Sequence, residues 1–314
     1  MRQLTVLSYG GGQDSKTILM KLIHDAAFRA HYAPDALVVV MSDTGDEHPH
    51  TIQDLVEVRK LCAQHKIEFH HLTKDMGYHV ASWPDLITPQ LRTSGEKFKA
   101  TLVQLGSKTC TLQLKIGPIY KFLDEYINEK CGYGFKIQKG RGCLKQAITR
   151  YGEEHGSIRV LIGFAAGEES RAEKSKKQEE RDQTKPGFWK YIRREFPLID
   201  LGMDRKSCQA YIASVGAAVP FPSNCMRCPY MSAEELLWLF IHHEDKFREW
   251  EQIESAKLAR YSGQEKNHGV FNSKTTLRQK LEKVQAKYAH LSVQALDAFL
   301  TDYKMNHGCG KGTH

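Results

Sequence analysis

Short apolar runs alternate with amphipathic stretches through residue 72 of the chain. Gln3–Ser8, Ala36–Met41 and Ile67–Leu72 are segments of strand length, and the second contains no polar residue. Between them, apolar residues recur at helical spacing from Asp14 to about Arg29 and from about His50 to Gln64. Strands that alternate with helices predict right-handed crossovers, and fully apolar strands are typical of a sheet covered on both faces. We therefore predict an α/β fold, a parallel twisted sheet flanked by helices and Rossmann-like in plan.

The pattern changes in the later part of the chain. Ile158–Gly163 is a fourth apolar run, and the charge run that follows it, Gly167–Lys185, is typical of a mobile loop or a solvated helix face. From Ser232 onward, apolar residues return at helical spacing. A boundary near residue 200 is predicted, with an α/β domain over residues 1–200 and a helical, cysteine-bearing part over residues 201–314.

Composition narrows the class of protein. The 314 residues are 41% hydrophobic and 26% charged, which is ordinary for a globular enzyme. The longest apolar stretch is too short to span a membrane and no leader precedes the first predicted strand, so we expect a cytoplasmic protein without a membrane partner. A net charge of +8 favours anionic partners such as nucleotides or nucleic acid, or serves solubility alone. Eight cysteines in a reducing compartment indicate metal ligands, sulfur chemistry or core residues.

The residues after the first predicted strand read SYGGGQDSKT. A strand, a glycine-rich turn and a helix start form an anion site, because glycines let main-chain N–H groups converge and the helix dipole favours phosphate. The Walker A pattern is not met, since the glycine required before Lys16 is missing, and G-x-G-x-x-G is not met in register. The pattern S-x-G-G-G-x-D-S from Ser8 to Ser15 resembles the PP-loop of the adenine nucleotide alpha hydrolase superfamily.

That resemblance implies that the loop holds the β- and γ-phosphates of ATP while the α-phosphate reacts. Asp14 and Ser15 are then expected to act in catalysis. Gln13 stands where many members of the superfamily carry lysine. The nucleotide-binding residues implied by the loop are Ser8, Gly10, Gly11, Gly12, Gln13, Asp14 and Ser15.

Two later segments resemble the phosphoadenylyl-sulfate (PAPS) reductase family within that superfamily. The segment MSDTGDEHPHT follows the second predicted strand and resembles D-T-G-x-x-[FH]-P-E-T, which implies contacts to the adenosine part from Asp43, Thr44 and Gly45. The segment LIGFAAGEESRAEKS resembles the reductase strand and loop GIRxxESxxR, although Ala165 replaces the arginine of that motif. Its remaining matches are expected to bind the nucleotide: Gly163, Glu168 and Arg171.

The cysteines suggest a metal centre. Cys225 and Cys228 have C-x-x-C spacing, which suits zinc, an iron–sulfur cluster or a redox dithiol. Cys110 lies in SKTCTLQLKIGPI, which resembles a cluster-binding segment of sulfonucleotide reductases. Cys208 precedes Cys225 by seventeen residues, a layout similar to that of the DNA phosphorothioation ATP pyrophosphatases, and Cys309 is the other candidate for a fourth ligand. These resemblances imply a [4Fe-4S] cluster on Cys110, Cys208, Cys225 and Cys228, and the alternatives are a zinc site or no metal at all.

Cys309 has a second interpretation. PAPS reductases end in an E-C-G-[IL]-H tail whose thiolate attacks the sulfonucleotide, and GCGKGTH resembles it with Gly308 in place of the glutamate. Cys309 is therefore also a candidate nucleophile, with a free terminal cysteine as the alternative.

Three functions follow from these patterns. The first is an ATP pyrophosphatase that uses ATP and Mg²⁺, forms AMP and pyrophosphate, and activates a substrate for sulfur transfer from a cysteine desulfurase or another donor. Its resemblance to the phosphorothioation enzymes makes DNA the expected acceptor, contacted by basic segments such as KIQKGRGCLKQAITR and KSKK. The second is a PAPS or adenylyl-sulfate reductase with Cys309 as nucleophile. The third is a non-catalytic, nucleotide-sensing DNA-binding subunit.

Overall fold

The computed structural model describes residues 3–91, 102–106, 109–138 and 141–306. Contacts within the chain separate two compact units. The sequence places one boundary near residue 200, whereas in the structure the chain finally leaves the first unit after Pro220 and two earlier segments also belong to the second unit. The first unit comprises the described residues within Met1–Asp43, Pro49–Ala81 and Lys115–Pro220. The second comprises those within Thr44–His48, Ser82–Leu114 and Phe221–His314.

The first unit is built on a five-stranded sheet with the strand order β3-β2-β1-β4-β5, and every pair of neighbours runs parallel. The strands are β1 (Leu4–Ser8), β2 (Ala36–Ser42), β3 (Glu68–Leu72), β4 (Ile158–Ile162) and β5 (Ile192–Glu195). The predicted α/β fold with a parallel sheet is confirmed. The sequence analysis missed β5, because an edge strand that reads IRRE carries charged side chains and has no apolar signature.

The helices also follow the predicted alternation, with one difference. The predicted helix from Asp14 to about Arg29 is two helices, because the Asp25 carboxylate accepts a hydrogen bond from the Phe28 N–H (2.9 Å) and caps a new helix there. The charge run forms a solvated helix with only two buried side chains, which is one of its two predicted forms. In chain order the helices of the described residues are α1 (Gln13–His24), α2 (Ala26–Tyr32), α3 (Pro49–Gln64), α4 (Thr88–Leu91), α5 (Gly117–Cys131), α6 (Gln146–His155), α7 (Glu169–Gln183), α8 (Pro197–Asp200), α9 (Arg205–Ser214), α10 (Ala233–His242), α11 (Glu244–Arg260), α12 (Leu277–Tyr288) and α13 (Val293–Asn306).

Apolar side chains cover both faces of the sheet. Leu7 and Val39 face a core shared with α1, α3 and α9. Val6 and Val38 face the opposite core, shared with α5 and α6. All four side chains are buried, which explains why the central strands are mostly apolar on both faces.

The strand order determines where a ligand can enter the first unit. β1 pairs with β2 on one side and with β4 on the other, so the direction of strand addition reverses between β1 and β4. In open parallel sheets, ligands bind at the carboxyl ends of the strands beside such a reversal. Ser8 and Ile162 are paired in register, and the loops that follow them therefore meet at this edge.

The second unit is mostly helical and has its own core, formed by residues such as Phe247, Trp250 and Leu281. The buried Glu254 carboxylate accepts hydrogen bonds from the main-chain N–H groups of Val270 (2.8 Å) and Leu277 (2.7 Å). These bonds connect α11 to the start of α12. No helix in the described ranges has the length and apolar character needed to cross a membrane.

Candidate nucleotide site

The loop between β1 and α1 is shaped by its own hydrogen bonds. The Ser15 hydroxyl accepts from the Gly10 N–H (3.2 Å) and donates to the Gly12 carbonyl (3.1 Å), so it braces the turn from inside. Gly12 is the N-cap of α1, has extended backbone and offers no side chain to cap the helix. The first N–H groups of a helix lack intrahelical acceptors, so this end of α1 is suited to an external anion.

Gly11 requires glycine for two reasons. Its φ of +76° lies in the left-handed region, and a Cβ at this position would lie 2.6 Å from Cγ2 of Thr51. Thr51 belongs to the first turn of α3. The three-glycine sequence therefore lets the loop pass directly over the helix that follows β2.

Gly163, the first residue after β4, packs against the same loop. A Cβ at this position would lie 2.8 Å from the Ser15 main-chain nitrogen and 3.2 Å from the Asp14 Cβ. The structure thus brings two separately predicted residue sets together, the loop after β1 and the glycine after β4. Gly163 acts here by permitting close packing of two main-chain segments.

Asp14, at the start of α1, has a largely buried side chain (15% exposed) and little compensation for its charge. Its Oδ1 atom has no hydrogen-bond partner among the residues described, and its Oδ2 atom lies 3.6 Å from the Arg205 guanidinium. Burial raises the pKa of Asp14 to about 6, against the opposing effect of Arg205. Arg205 was missed by the sequence analysis. The available signal was its place directly after Asp204, which caps α9.

Glu168 and Arg171 meet at the start of α7. The Arg171 guanidinium donates to the Glu168 carboxylate and lies 4.2 Å from the centre of the Phe164 ring. Glu168 also accepts from the Ala165 N–H (3.3 Å). Glu168 is therefore the last residue before α7 and Arg171 lies in its first turn, where the arginine is oriented by a carboxylate and an aromatic face.

Two sequence neighbours of Asp14, Gln13 and Lys16, have side chains that contact other parts of the first unit. Lys16 forms a buried ion pair with Asp54 of α3 at 2.5 Å. The Gln13 side-chain amide donates to the Pro220 carbonyl (2.9 Å), and its oxygen accepts from the Gln209 amide (3.2 Å). Gln13 thus supports the end of the first unit with its side chain, and only its main chain is oriented with the loop.

The three residues predicted to contact adenosine belong to different units. Asp43 extends β2 in the first unit, where its N–H donates to the Leu72 carbonyl (2.9 Å). Thr44 and Gly45 belong to the second unit. There the Thr44 hydroxyl donates to Glu47 (3.0 Å) and lies 3.2 Å from the Cys225 Sγ atom.

The four predicted metal ligands are not brought to one point. Cys208 is buried in the core of the first unit, and burial raises its pKa to about 12. In the second unit, Cys110 and Cys225 pack beside one small apolar cluster, while Cys228 borders the helical core. Within the part of the chain that the structure describes, no three His, Cys, Asp or Glu residues form a group that could hold a metal ion. Cys309 lies outside the described residues.

Comparisons with known proteins add little to this site. No family model matches the sequence, and no curated protein matches it. Among solved structures, the chain is similar to the U34-tRNA thiolase NcsA from Methanococcus maripaludis, determined with its [4Fe-4S] cluster. The two share 13% sequence identity over 95% of this chain and 81% of that chain, with a TM-score of 0.37. A likeness at this identity and TM-score is too weak to assign an activity to this chain.

Proposed function

We propose that the protein is an ATP pyrophosphatase of the PP-loop type, which cleaves ATP to AMP and pyrophosphate and so activates a substrate for sulfur transfer. The observation that carries this proposal is the glycine loop at the start of α1, placed where the strand order reverses and packed against Gly163. Main-chain N–H groups and the positive end of a helix converge there, which is the arrangement that binds phosphate oxygens.

The proposed chemistry takes place at the α-phosphorus. A substrate oxygen attacks this atom, the bond from it to the bridging oxygen breaks, and pyrophosphate leaves with the bonding electron pair. Loop N–H groups stabilise the negative charge that develops on pyrophosphate. The terminal sulfur of a persulfide from a cysteine desulfurase or another donor then attacks the activated centre and displaces AMP. A thiol reductant cleaves the S–S bond that still joins this sulfur to the donor, which releases the thiolated product and the donor thiol.

Asp14 fits a role in holding Mg²⁺. A largely buried carboxylate and a bound triphosphate would repel each other, because both are negatively charged. A cation between them would offset this repulsion. The unpartnered Oδ1 atom is a hard oxygen donor of the kind that Mg²⁺ prefers. When bound, Mg²⁺ would neutralise charge on the phosphates. Asp14 itself would position that charge at the loop.

DNA is the acceptor that we propose for the sulfur. Lys174, Lys176 and Lys177 are exposed on α7, which starts at the loop after β4. The net charge of +8 also favours a polyanion. This part of the proposal rests on charge and on the resemblance to phosphorothioation enzymes.

The reaction products test the proposal. ATP labelled at the α-phosphate, incubated with the protein, Mg²⁺ and candidate acceptors, is expected to yield AMP and pyrophosphate. ADP with inorganic phosphate would exclude a PP-loop activity, and sulfite release from PAPS would favour the reductase function.

Ser15→Ala removes two hydrogen bonds that brace the loop and is expected to lower kcat/KM by about ten- to a hundred-fold. Ser214→Ala is the matched control, because it removes a similar hydroxyl-to-carbonyl bond from the far end of α9.

A [4Fe-4S] cluster on Cys110, Cys225 and Cys228 remains part of the proposal and rests on sequence resemblance. The described residues contain no group of three ligands that could hold a metal ion, so the cluster has no assigned role in the reaction. We expect anaerobic reconstitution with iron and sulfide to give visible absorbance that Cys225→Ser abolishes. Cys208→Ala should retain it, because Cys208 is a core residue of the other unit. Loss of absorbance in Cys208→Ala alone would contradict this assignment.

A further inference from the structure

Asp43, at the carboxyl end of β2, is held by groups from several elements of the first unit. Its N–H donates to the Leu72 carbonyl at 2.9 Å, and its own carbonyl oxygen lies 2.9 Å from Nε2 of His79. Its carboxylate oxygen Oδ2 lies 3.4 Å from Nε2 of His71, which follows in β3. Both the main chain and the side chain of Asp43 are therefore restrained.

His71 is itself oriented by an arginine. The Arg59 guanidinium of α3 lies 2.8 Å from Nδ1 of His71. A guanidinium can only donate hydrogen bonds, so Nδ1 must accept. The imidazole proton is then on Nε2, which lies 3.4 Å from Oδ2 of Asp43 in an electrostatic contact that does not reach hydrogen-bond geometry. The His71 side chain is 9% exposed and the Asp43 side chain 19%, so solvent competes weakly for this contact.

We propose that Arg59 and His71 are positioning residues for nucleotide recognition: they direct the Asp43 carboxylate to accept hydrogen bonds from the ribose hydroxyls. This inference rests on the proposed function and deepens it. β2 is the neighbour of β1, and a carboxylate at the end of the strand beside a phosphate loop is the usual acceptor for ribose hydroxyls in such sheets. With the other tautomer, a nitrogen lone pair would face the carboxylate and would turn it away.

The effect is expected in binding. An interaction made equally in the ground state and the transition state changes KM and leaves kcat nearly constant. His71→Leu should raise the KM for ATP about ten- to a hundred-fold, the range for a hydrogen bond to a charged group. His71→Gln, whose amide can donate to Asp43, should recover much of this loss. His65→Leu is the matched control, because His65 is exposed on the same unit.

Two measurements on the full-length protein test the proposal. Nitrogen-15 NMR of labelled imidazoles should show the His71 proton on Nε2, and Arg59→Ala should allow both tautomers. ATP and 2′,3′-dideoxy-ATP should differ in KM for the native protein, and this difference should collapse in His71→Leu. A proton on Nδ1, or an unchanged ATP-to-dideoxy-ATP ratio in His71→Leu, would overturn the proposal. Failure of the native protein to bind any nucleotide while the Nε2–H tautomer is observed would instead refute the proposed function, and the ribose role with it.

Discussion

Asp14→Asn is expected to stabilise the folded protein near neutral pH and to abolish pyrophosphate formation. The pKa of Asp14 is raised from 3.8 to about 6 in the fold, so the folded state binds more protons than the unfolded state between these values. Stability therefore falls as the pH rises through this window, and the whole penalty is present above pH 6. One pKa unit corresponds to about 1.4 kcal/mol, so the neutral amide should raise the free energy of unfolding by about 2–3 kcal/mol at pH 8.

Urea unfolding of the EDTA-treated protein across this pH range provides the measurement. The gap between Asp14→Asn and the native protein should be widest above pH 6 and should close as the pH falls toward 3.8. Asp25→Asn is the control of opposite sign. The Phe28 N–H lowers the pKa of Asp25, so stability from this carboxylate is present at higher pH and is lost as the pH falls through its folded pKa. If Asp14→Asn is less stable than the native protein at pH 8, the charged carboxylate is stabilised by its surroundings, and the expected penalty for its burial is contradicted.

Gly163→Ala is expected to disable the site with a modest effect on stability. The added Cβ would lie 2.8 Å from the Ser15 nitrogen, and neither contacting segment can yield without moving main chain. Overpacking of this kind costs about 1–3 kcal/mol. A displacement of about 1 Å at the loop would lower kcat/KM about a hundred-fold. Pyrophosphate release and urea unfolding measure the two effects separately.

Gly152→Ala is the matched control for this substitution. Gly152 lies in α6 of the same unit, and a Cβ at this position would lie 2.1 Å from Cγ of the Tyr191 ring. It should therefore destabilise the protein and leave kcat/KM of the folded fraction close to the native value. Equal losses of kcat/KM in both variants would mean that Gly163 serves only general packing.

The sheet was predictable because its signals are local. The three central strands β1, β2 and β4 appear as mostly apolar runs, since their side chains contribute to the cores on both faces of the sheet. The edge strand β5 lacks that constraint and could not be found in this way. The sequence also could not predict that MSDTGDEHPHT is divided between two units, because contacts with distant segments decide which unit each residue joins.

The site shows the same contrast. The glycine loop was identified from the residues, because left-handed backbone and close approach to Thr51 demand glycine locally. Arg205 and His71 were missed, since each meets its partner only when separate strands and helices assemble. The resemblance to the phosphorothioation enzymes implied Cys208 as a metal ligand, and only the structure shows that its side chain lies in the core of the first unit.

By itself, the sequence determined the alternation of strands and helices, the parallel sheet and the glycine loop. Each of these depends on backbone geometry or on a burial pattern that residues close together in the sequence determine. Only the tertiary structure decided which charges meet. It left the Asp14 side chain largely buried with the Arg205 guanidinium 3.6 Å away, and it placed Lys16 against Asp54. Ion pairs and burial depend on chain segments far apart in sequence, and their strength depends on the solvent that the folded chain excludes.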